Sequence, residues 1–167
     1  MYRITAVCTG NICRSPMAEY LIRGALESAG VDGVVVDSAG TSDGEAGNPV
    51  DPRAAAVLTR AGLDPSKHVA RRFEAADFAD ADLVLALDTD HYARLRRLAP
   101  GPQDAAKVRL LRSFDPAVAD KGPSGQGIYD PWYGDAADFA LCHEMIRAAL
   151  PGLVEHVRLE ATGRRGA

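Results

Sequence analysis

The chain has 167 residues and a net charge of −4 from 19 basic and 23 acidic side chains, with 47% hydrophobic and 25% charged residues, the balance of one soluble globular domain. Its longest uninterrupted apolar runs, 54–58 and 83–87, fall far short of the roughly 18 residues a membrane-crossing helix needs, and the acidic balance argues against a nucleic-acid partner. An odd set of cysteines, Cys8, Cys13 and Cys142, makes no disulfide framework, and His68, His91, His143 and His156 lack metal-ligand spacing, so no metal site is expected.

In chain order, residues 4–7 form a short apolar run ended by Thr9-Gly10-Asn11. No basic-then-apolar leader stands before it, and a cytoplasmic protein is expected. The helical pattern that follows puts Met17, Ala18, Leu21, Ile22, Ala25 and Leu26 on one face, so the segment reads as strand, loop, helix. Residues 34–36, 83–87 and 108–111 are further strand candidates, and the first three runs lack strict alternation, as strands buried on both faces do. Helices are expected over 52–61, after Gly47-Asn48-Pro49, and over 90–98 with Asp88 or Thr89 as cap. Gly, Pro, Asp and Ser dominate 116–134, a long loop of the kind that often carries function. A last amphipathic helix is expected over 135–159, capped by Asp135, with Phe139, Cys142, Ile146, Ala149 and Leu153 on its apolar stripe and a frayed end over 162–167. Strands alternating with helices predict an α/β fold whose parallel sheet is flanked by helices on both faces.

The segment Cys8-Thr9-Gly10-Asn11-Ile12-Cys13-Arg14-Ser15-Pro16 joins the first strand to a helix expected to begin near Ser15, with Pro16 in the first helical position. Backbone N–H groups turned inward in such a loop, together with the positive end of the helix dipole, form a cradle for a tetrahedral oxyanion. Gly10 and Asn11 suit the left-handed backbone that a cradle demands. Arg14 can close over the anion with two parallel hydrogen bonds. A cation at a helix N-terminus is electrostatically misplaced unless it meets an anion, which weighs against a merely superficial Arg14. The same field favours a thiolate, so Cys8, at the strand end and the floor of the cradle, is expected to be a phosphoryl acceptor rather than a structural thiol.

This loop resembles, without a mismatch, the phosphate-binding loop of the low-molecular-weight protein tyrosine phosphatases, notably their bacterial, actinobacterial-like members, and the resemblance extends over roughly residues 3–160. It implies a small four-stranded parallel sheet, hydrolysis of phosphotyrosine in proteins through a phosphocysteine on Cys8, no metal or cofactor, and phosphate or vanadate as the anion bound by residues Thr9 to Ser15. Asp130-Pro131-Trp132-Tyr133-Gly134 looks like the family's general-acid loop. The chemistry needs such a group, because an alkoxide or phenoxide leaves phosphorus slowly unless a proton arrives as the bond breaks. Pro131 biases Asp130 toward an extended backbone. The resemblance further assigns Ser15 to the thiolate as a hydrogen-bond partner, and Asn11, Ser38 and His68 to support of the loop. Asp88 and the Ser113-Phe114-Asp115-Pro116 turn follow the family pattern and read as structural.

Two departures leave the substrate preference open. Gly44 stands where the family usually places an aromatic cleft wall, and Trp132 where it usually has Tyr. The cleft is expected to be formed by Ile12, Gly44, Trp132 and Tyr133. Ile12 suits an aryl ester, whereas the related arginine phosphatases tend to carry Thr at that place. Arsenate reduction would need relay cysteines, and Cys142 is the only one outside the loop. A non-catalytic phosphotyrosine-binding module would need neither Cys8 nor Asp130. Cys13 either fills the loop or captures an oxidised Cys8 as a disulfide.

Overall fold

The computed structural model describes residues 1–165. Four strands, β1 (Tyr2–Cys8), β2 (Val34–Gly40), β3 (Leu83–Ala86) and β4 (Val108–Leu110), pair in one all-parallel sheet of order β2-β1-β3-β4. Parallel pairing requires crossovers, and helices supply them. They are α1 (Arg14–Ser28) between β1 and β2, α2 (Pro52–Arg60) in the return to β3, and α3 (Thr89–Leu98) with the one-turn α4 (Pro102–Ala105) before β4. A final helix, α5 (Ala136–Arg165), completes the described chain.

The sheet is covered on both faces. Ile4, Ala6, Leu83 and Leu85 join the core made with α1, α2 and α5, whereas Val7, Val84 and Ala86 pack on Phe73, Phe78 and Leu95 opposite. Strands that bury both faces need apolar residues at consecutive positions, which is why runs rather than alternation mark them. Phe139, Cys142, Ile146, Ala149 and Leu153 form the buried stripe of α5.

Besides shifts of one or two residues at element ends and the unexpected turn of α4, three elements differ from expectation. β2 continues past the valines through Asp37 and Ser38, whose side chains find partners: Thr5 Oγ1 donates to Asp37 Oδ1 at 2.6 Å and Ser38 Oγ to Glu19 Oε2 at 2.6 Å. The loop 116–134 contains short 3-10 turns at Pro123–Gly125 and Pro131–Tyr133. The last helix runs on through Pro151 to Arg165, so the expected frayed end is helical that far; residues 166–167 lie outside the described residues. At Gly152 any Cβ would collide with the Phe114 carbonyl oxygen, so this glycine lets α5 close on the turn Leu111–Phe114.

The chain leaves β1 toward β2 on one side and returns to β3 on the other. A crevice opens at such a switch point, outside the C-terminal strand ends, and Cys8 ends β1 there. Among the described residues no helix is long and apolar enough to cross a membrane.

Candidate active site

The helix after the loop begins at Arg14, one residue earlier than expected, and Pro16 is its third residue. That position is still inside the first turn, where an N–H has no partner within the helix. The cap residue Cys13 makes no side-chain cap bond, so no cap side chain covers the first-turn N–H groups. Asn11, with φ 59°, is the one non-glycine in the left-handed region among the described residues. Gly10 does not share that conformation, contrary to expectation; what it supplies is room, since a Cβ there would press on Glu45 Cγ at 3.1 Å. At Gly40 a Cβ would collide with the Thr9 carbonyl oxygen, so the end of β2 can lie directly against the loop. Thr41 N and Ser42 N then donate to the carbonyls of Cys8 and Thr9 at 2.8 and 3.0 Å.

A buried hydrogen-bond network holds this curl. Asn11 Nδ2 donates to Ser15 Oγ at 2.8 Å and to Ser38 Oγ at 2.9 Å, while Arg71 N donates to Asn11 Oδ1 at 3.0 Å. Ser15 Oγ, which accepts from Asn11, has two places for its own proton, Cys8 Sγ at 3.0 Å and the Ala39 carbonyl at 3.3 Å, and the thiol contact is the shorter. His68 Nε2 donates to the Asn11 carbonyl at 2.8 Å, and its Nδ1 stands 3.7 Å from Glu19 Oε2. Burial works against the charge of Glu19, but hydrogen bonds from His68 and Ser38 and the charge of Arg23 hold its carboxyl below the usual range. Each of Asn11, Ser15, Ser38 and His68 is buried.

Arg14 is almost wholly buried and enters from the other side. Its Nη1 donates to the Ile128 carbonyl at 3.1 Å and pairs with Asp88 Oδ2 at 3.4 Å, while Nη2 lies 3.3 Å from Asp130 Oδ2. The other oxygen of Asp130 accepts from Trp132 N at 3.1 Å. A cleft of about 340 Å³ joins these groups, lined by Cys8, Thr9, Gly10, Ile12, Cys13 and Arg14 at the base and by Ser42, Gly44, Glu45, Asp130, Trp132 and Tyr133 above. A larger groove, about 640 Å³ between α1, α2 and α5, holds neither a cysteine nor a helix N-terminus, so size alone does not locate the chemistry. Among the described residues no three His, Cys, Asp or Glu side chains are grouped as metal ligands.

Residues 3–162 match the family model described as low molecular weight phosphotyrosine protein phosphatase. The low molecular weight protein-tyrosine-phosphatase of Streptomyces coelicolor is 50% identical over 164 residues, covering 98% of each chain. The chain belongs to the low-molecular-weight phosphotyrosine protein phosphatase family. Membership makes it a phosphoric monoester hydrolase. Among solved structures, a protein tyrosine phosphatase from Entamoeba histolytica with Hepes in its active site aligns with TM-score 0.86 and 26% identity over 98% of this chain and 99% of that one. A Drosophila arginine phosphatase aligns with TM-score 0.82 and 28% identity over 92% and 96%.

In this member of the family Glu19, Asp88, Arg53 and His91 touch the site in ways that the sequence did not signal. Glu19 closes the Ser38–His68 network. Asp88 caps α3 through Thr89 N at 2.7 Å, as expected, and also pairs with Arg14, which makes it more than structural. Arg53 straps the Asp130 loop: Nη1 donates to the carbonyls of Trp132 and Gly134, both at 3.1 Å, and the guanidinium lies over the Trp132 ring at 5.5 Å. His91 Nε2 is hydrogen-bonded to Thr9 Oγ1 at 2.8 Å, while its buried Nδ1 has no partner. Burial, and then the charge of Arg14, push the His91 pKa down to about 4. The cysteines Cys8, Cys13 and Cys142 are free and buried. Burial, then Asp51, push the Cys13 thiol well above its ordinary range, and burial pushes Cys142 up to about 12.

Proposed function

We propose that the protein hydrolyses aryl phosphate monoesters, phosphotyrosine in proteins, through a phosphocysteine on Cys8 with Asp130 as general acid. The observation that carries this reading is the arrangement of Cys8 Sγ at the base of the cleft, 3.0 Å from Ser15 Oγ, with the Arg14–Asp130 pair beside it. The phosphate sits on the N–H groups of residues Thr9 to Ser15, and Arg14 holds its equatorial oxygens. The Cys8 thiolate attacks phosphorus as the P–O bond to the aryl group breaks, and Asp130 gives its proton to the departing oxygen. Water then attacks the phosphocysteine, its proton returns to Asp130, and the S–P bond breaks to release inorganic phosphate and the thiolate. Charge gathers on the phosphoryl oxygens in both steps, where fixed N–H dipoles and Arg14 need no reorganisation to meet it. Phosphate and vanadate bind the same cradle as anions.

Ile12, Trp132 and Tyr133 give the cleft apolar faces suited to an aryl ring. Hydrolysis of p-nitrophenyl phosphate with and without EDTA, followed by phosphotyrosine, phosphoserine and phosphoarginine peptides, tests the reading. Metal-independent turnover, preference for phosphotyrosine, and loss of turnover in Cys8→Ser with phosphate binding retained are the expected results. Turnover in Cys8→Ser within tenfold of the native enzyme, or a preference for phosphoarginine, overturns it.

A further inference from the structure

Basic residues stand together at Arg71-Arg72 and at Arg94-Arg96-Arg97, and the mechanism uses none of their side chains. The fold brings the two clusters together. The strap 71–73 lies along the end of β2, where Gly40 N donates to the Arg71 carbonyl and Phe73 N to the Gly40 carbonyl, both at 2.8 Å. α3 packs Leu95 into the same apolar cluster as Phe73. Between strap and helix lies a hollow of about 170 Å³ with Arg72, Arg94 and Arg97 around it and no acidic residue in its lining.

This hollow adjoins the cleft. Thr41 lines the hollow and Ser42, the next residue, lines the cleft. Both are fixed to the phosphate loop by their backbone bonds to Cys8 and Thr9. The cations are available to a ligand. The Arg97 side chain makes no hydrogen bond or ion pair among the described residues. Arg94 pairs only with Asp90 one turn earlier, at 3.2 Å, and Arg72 with Asp43 and Glu74 at 3.9 and 3.6 Å, all between exposed side chains. Exposed pairs of this kind contribute little and exchange readily for another carboxylate. Their carboxylate partners Asp90, Asp43 and Glu74 stand outside the lining of the hollow, so the three guanidiniums are the charged groups that face an anion entering it.

We propose that the hollow is a second anion subsite that takes the carboxylate of an Asp or Glu in the phosphoprotein substrate, close in sequence to the phosphotyrosine. The inference rests on the phosphotyrosine reading of the cleft. An extended peptide advances about 3.3–3.6 Å per residue, and with hollow and cleft meeting at the consecutive residues Thr41 and Ser42 the acidic side chain falls about two to four positions from the phosphotyrosine. Guanidiniums held by weak surface pairs exchange partners at little cost, so the subsite acts on substrate capture rather than on the chemical step.

The test uses the full chain and phosphotyrosine peptides with Glu at the second to fourth positions on either the N- or the C-terminal side, each beside its Gln counterpart, at low ionic strength. The native enzyme is expected to favour one Glu peptide over its Gln partner by about tenfold in kcat/KM, through KM, and to lose that preference in high salt. Arg94→Ala with Arg97→Ala should bring the ratio to near one. Arg147→Ala with Arg158→Ala, on the exposed face of α5, should keep it. Equal rates on Glu and Gln peptides, a preference that survives the first double variant, or an equal loss in the second overturns the subsite. Failure to hydrolyse even the Gln peptides overturns the phosphotyrosine reading itself, and the subsite with it.

Discussion

Asp130 Oδ2 lies 3.3 Å from Arg14 Nη2, so the proposed proton donor and the proposed phosphate clamp are each other's charge partners. Substrate phosphate brings a stronger acceptor to Arg14, and the Asp130 carboxyl, still tied to Trp132 N through Oδ1, is left to the leaving-group oxygen. Arg14 itself cannot follow, because Asp88 and the Ile128 carbonyl hold its other nitrogen.

Asp130→Asn should therefore lower kcat for phenyl phosphate by about 10²–10⁴, the range of general-acid contributions. The loss should be far smaller for an ester whose leaving group needs no proton. Steady-state kinetics on the two substrates check this; equal losses remove Asp130 from the acid role. Arg14→Lys should be at least as severe on both, since a point charge cannot reproduce the two parallel bonds.

The Thr9–His91 bond ties the phosphate loop to α3 across 82 positions of sequence. His91 is buried with its pKa pushed down to about 4 by burial and by Arg14, against Asp88, Asp90 and Asp130, which pull it up. A folded pKa below the unfolded value near 6.5 means that the unfolded chain binds the extra proton between the two. Stability is complete above pH 6.5 and drains as pH falls toward 4, by up to about 3 kcal/mol at 1.36 kcal/mol per unit. Urea unfolding from pH 7 to 4 should show a steeper decline in the native protein than in His91→Leu. Parallel curves would mean that His91 takes up its proton without unfolding.

Most of the scaffold was legible because it depends on local pattern. The run 4–7, the turn after it and the apolar face from Met17 to Leu26 are neighbours in sequence, and they became β1, the loop and α1. The loop motif was equally visible, since Cys8, Asn11, Arg14 and Ser15 are drawn together by one turn of chain. What escaped is what long-range pairing decides. Arg53 meets Trp132 and Gly134, His91 meets Thr9, and Asp88 meets Arg14, each across a crossover that periodicity cannot follow. Glu19 carries no signal in the sequence, because its partner Ser38 lies in a strand whose polar end ended the apolar run. Gly10 was misread for a related reason: its requirement comes from Glu45, on another loop.

Cys13 invites an oxidative test. Peroxide converts the Cys8 thiolate to a sulfenic acid, and attack by Cys13 sulfur then forms a disulfide and releases water. Burial and Asp51 hold Cys13 as a thiol, so this capture should quicken as pH rises and in Asp51→Asn. Peroxide-treated enzyme should recover with dithiothreitol, and Cys13→Ala much less so. Equal recovery in both proteins refutes the protective role.

The cleft wall yields the last prediction. A deep slot selects phosphotyrosine because the phosphate must reach the loop floor while the ring is gripped on its faces. Aromatic contacts of that kind add about 0.5–1.5 kcal/mol beyond burial. Here Gly44 leaves one side without a ring, and a Cβ at that position meets only Ser42 Oγ at 3.4 Å, so a side chain has space to enter. Trp132 lines the same cleft, 40% exposed and backed by Arg53. The missing jaw touches ground and transition states alike, so its absence raises KM and spares kcat. Gly44→Trp should lower KM for phosphotyrosine peptides by up to tenfold, equivalent to about 1.4 kcal/mol, and Trp132→Ala should raise it. If Gly44→Trp leaves KM unchanged while Trp132→Ala lowers kcat alone, the ring is not gripped between these walls, and Trp132 acts by holding Asp130 through its backbone N–H and the Arg53 strap.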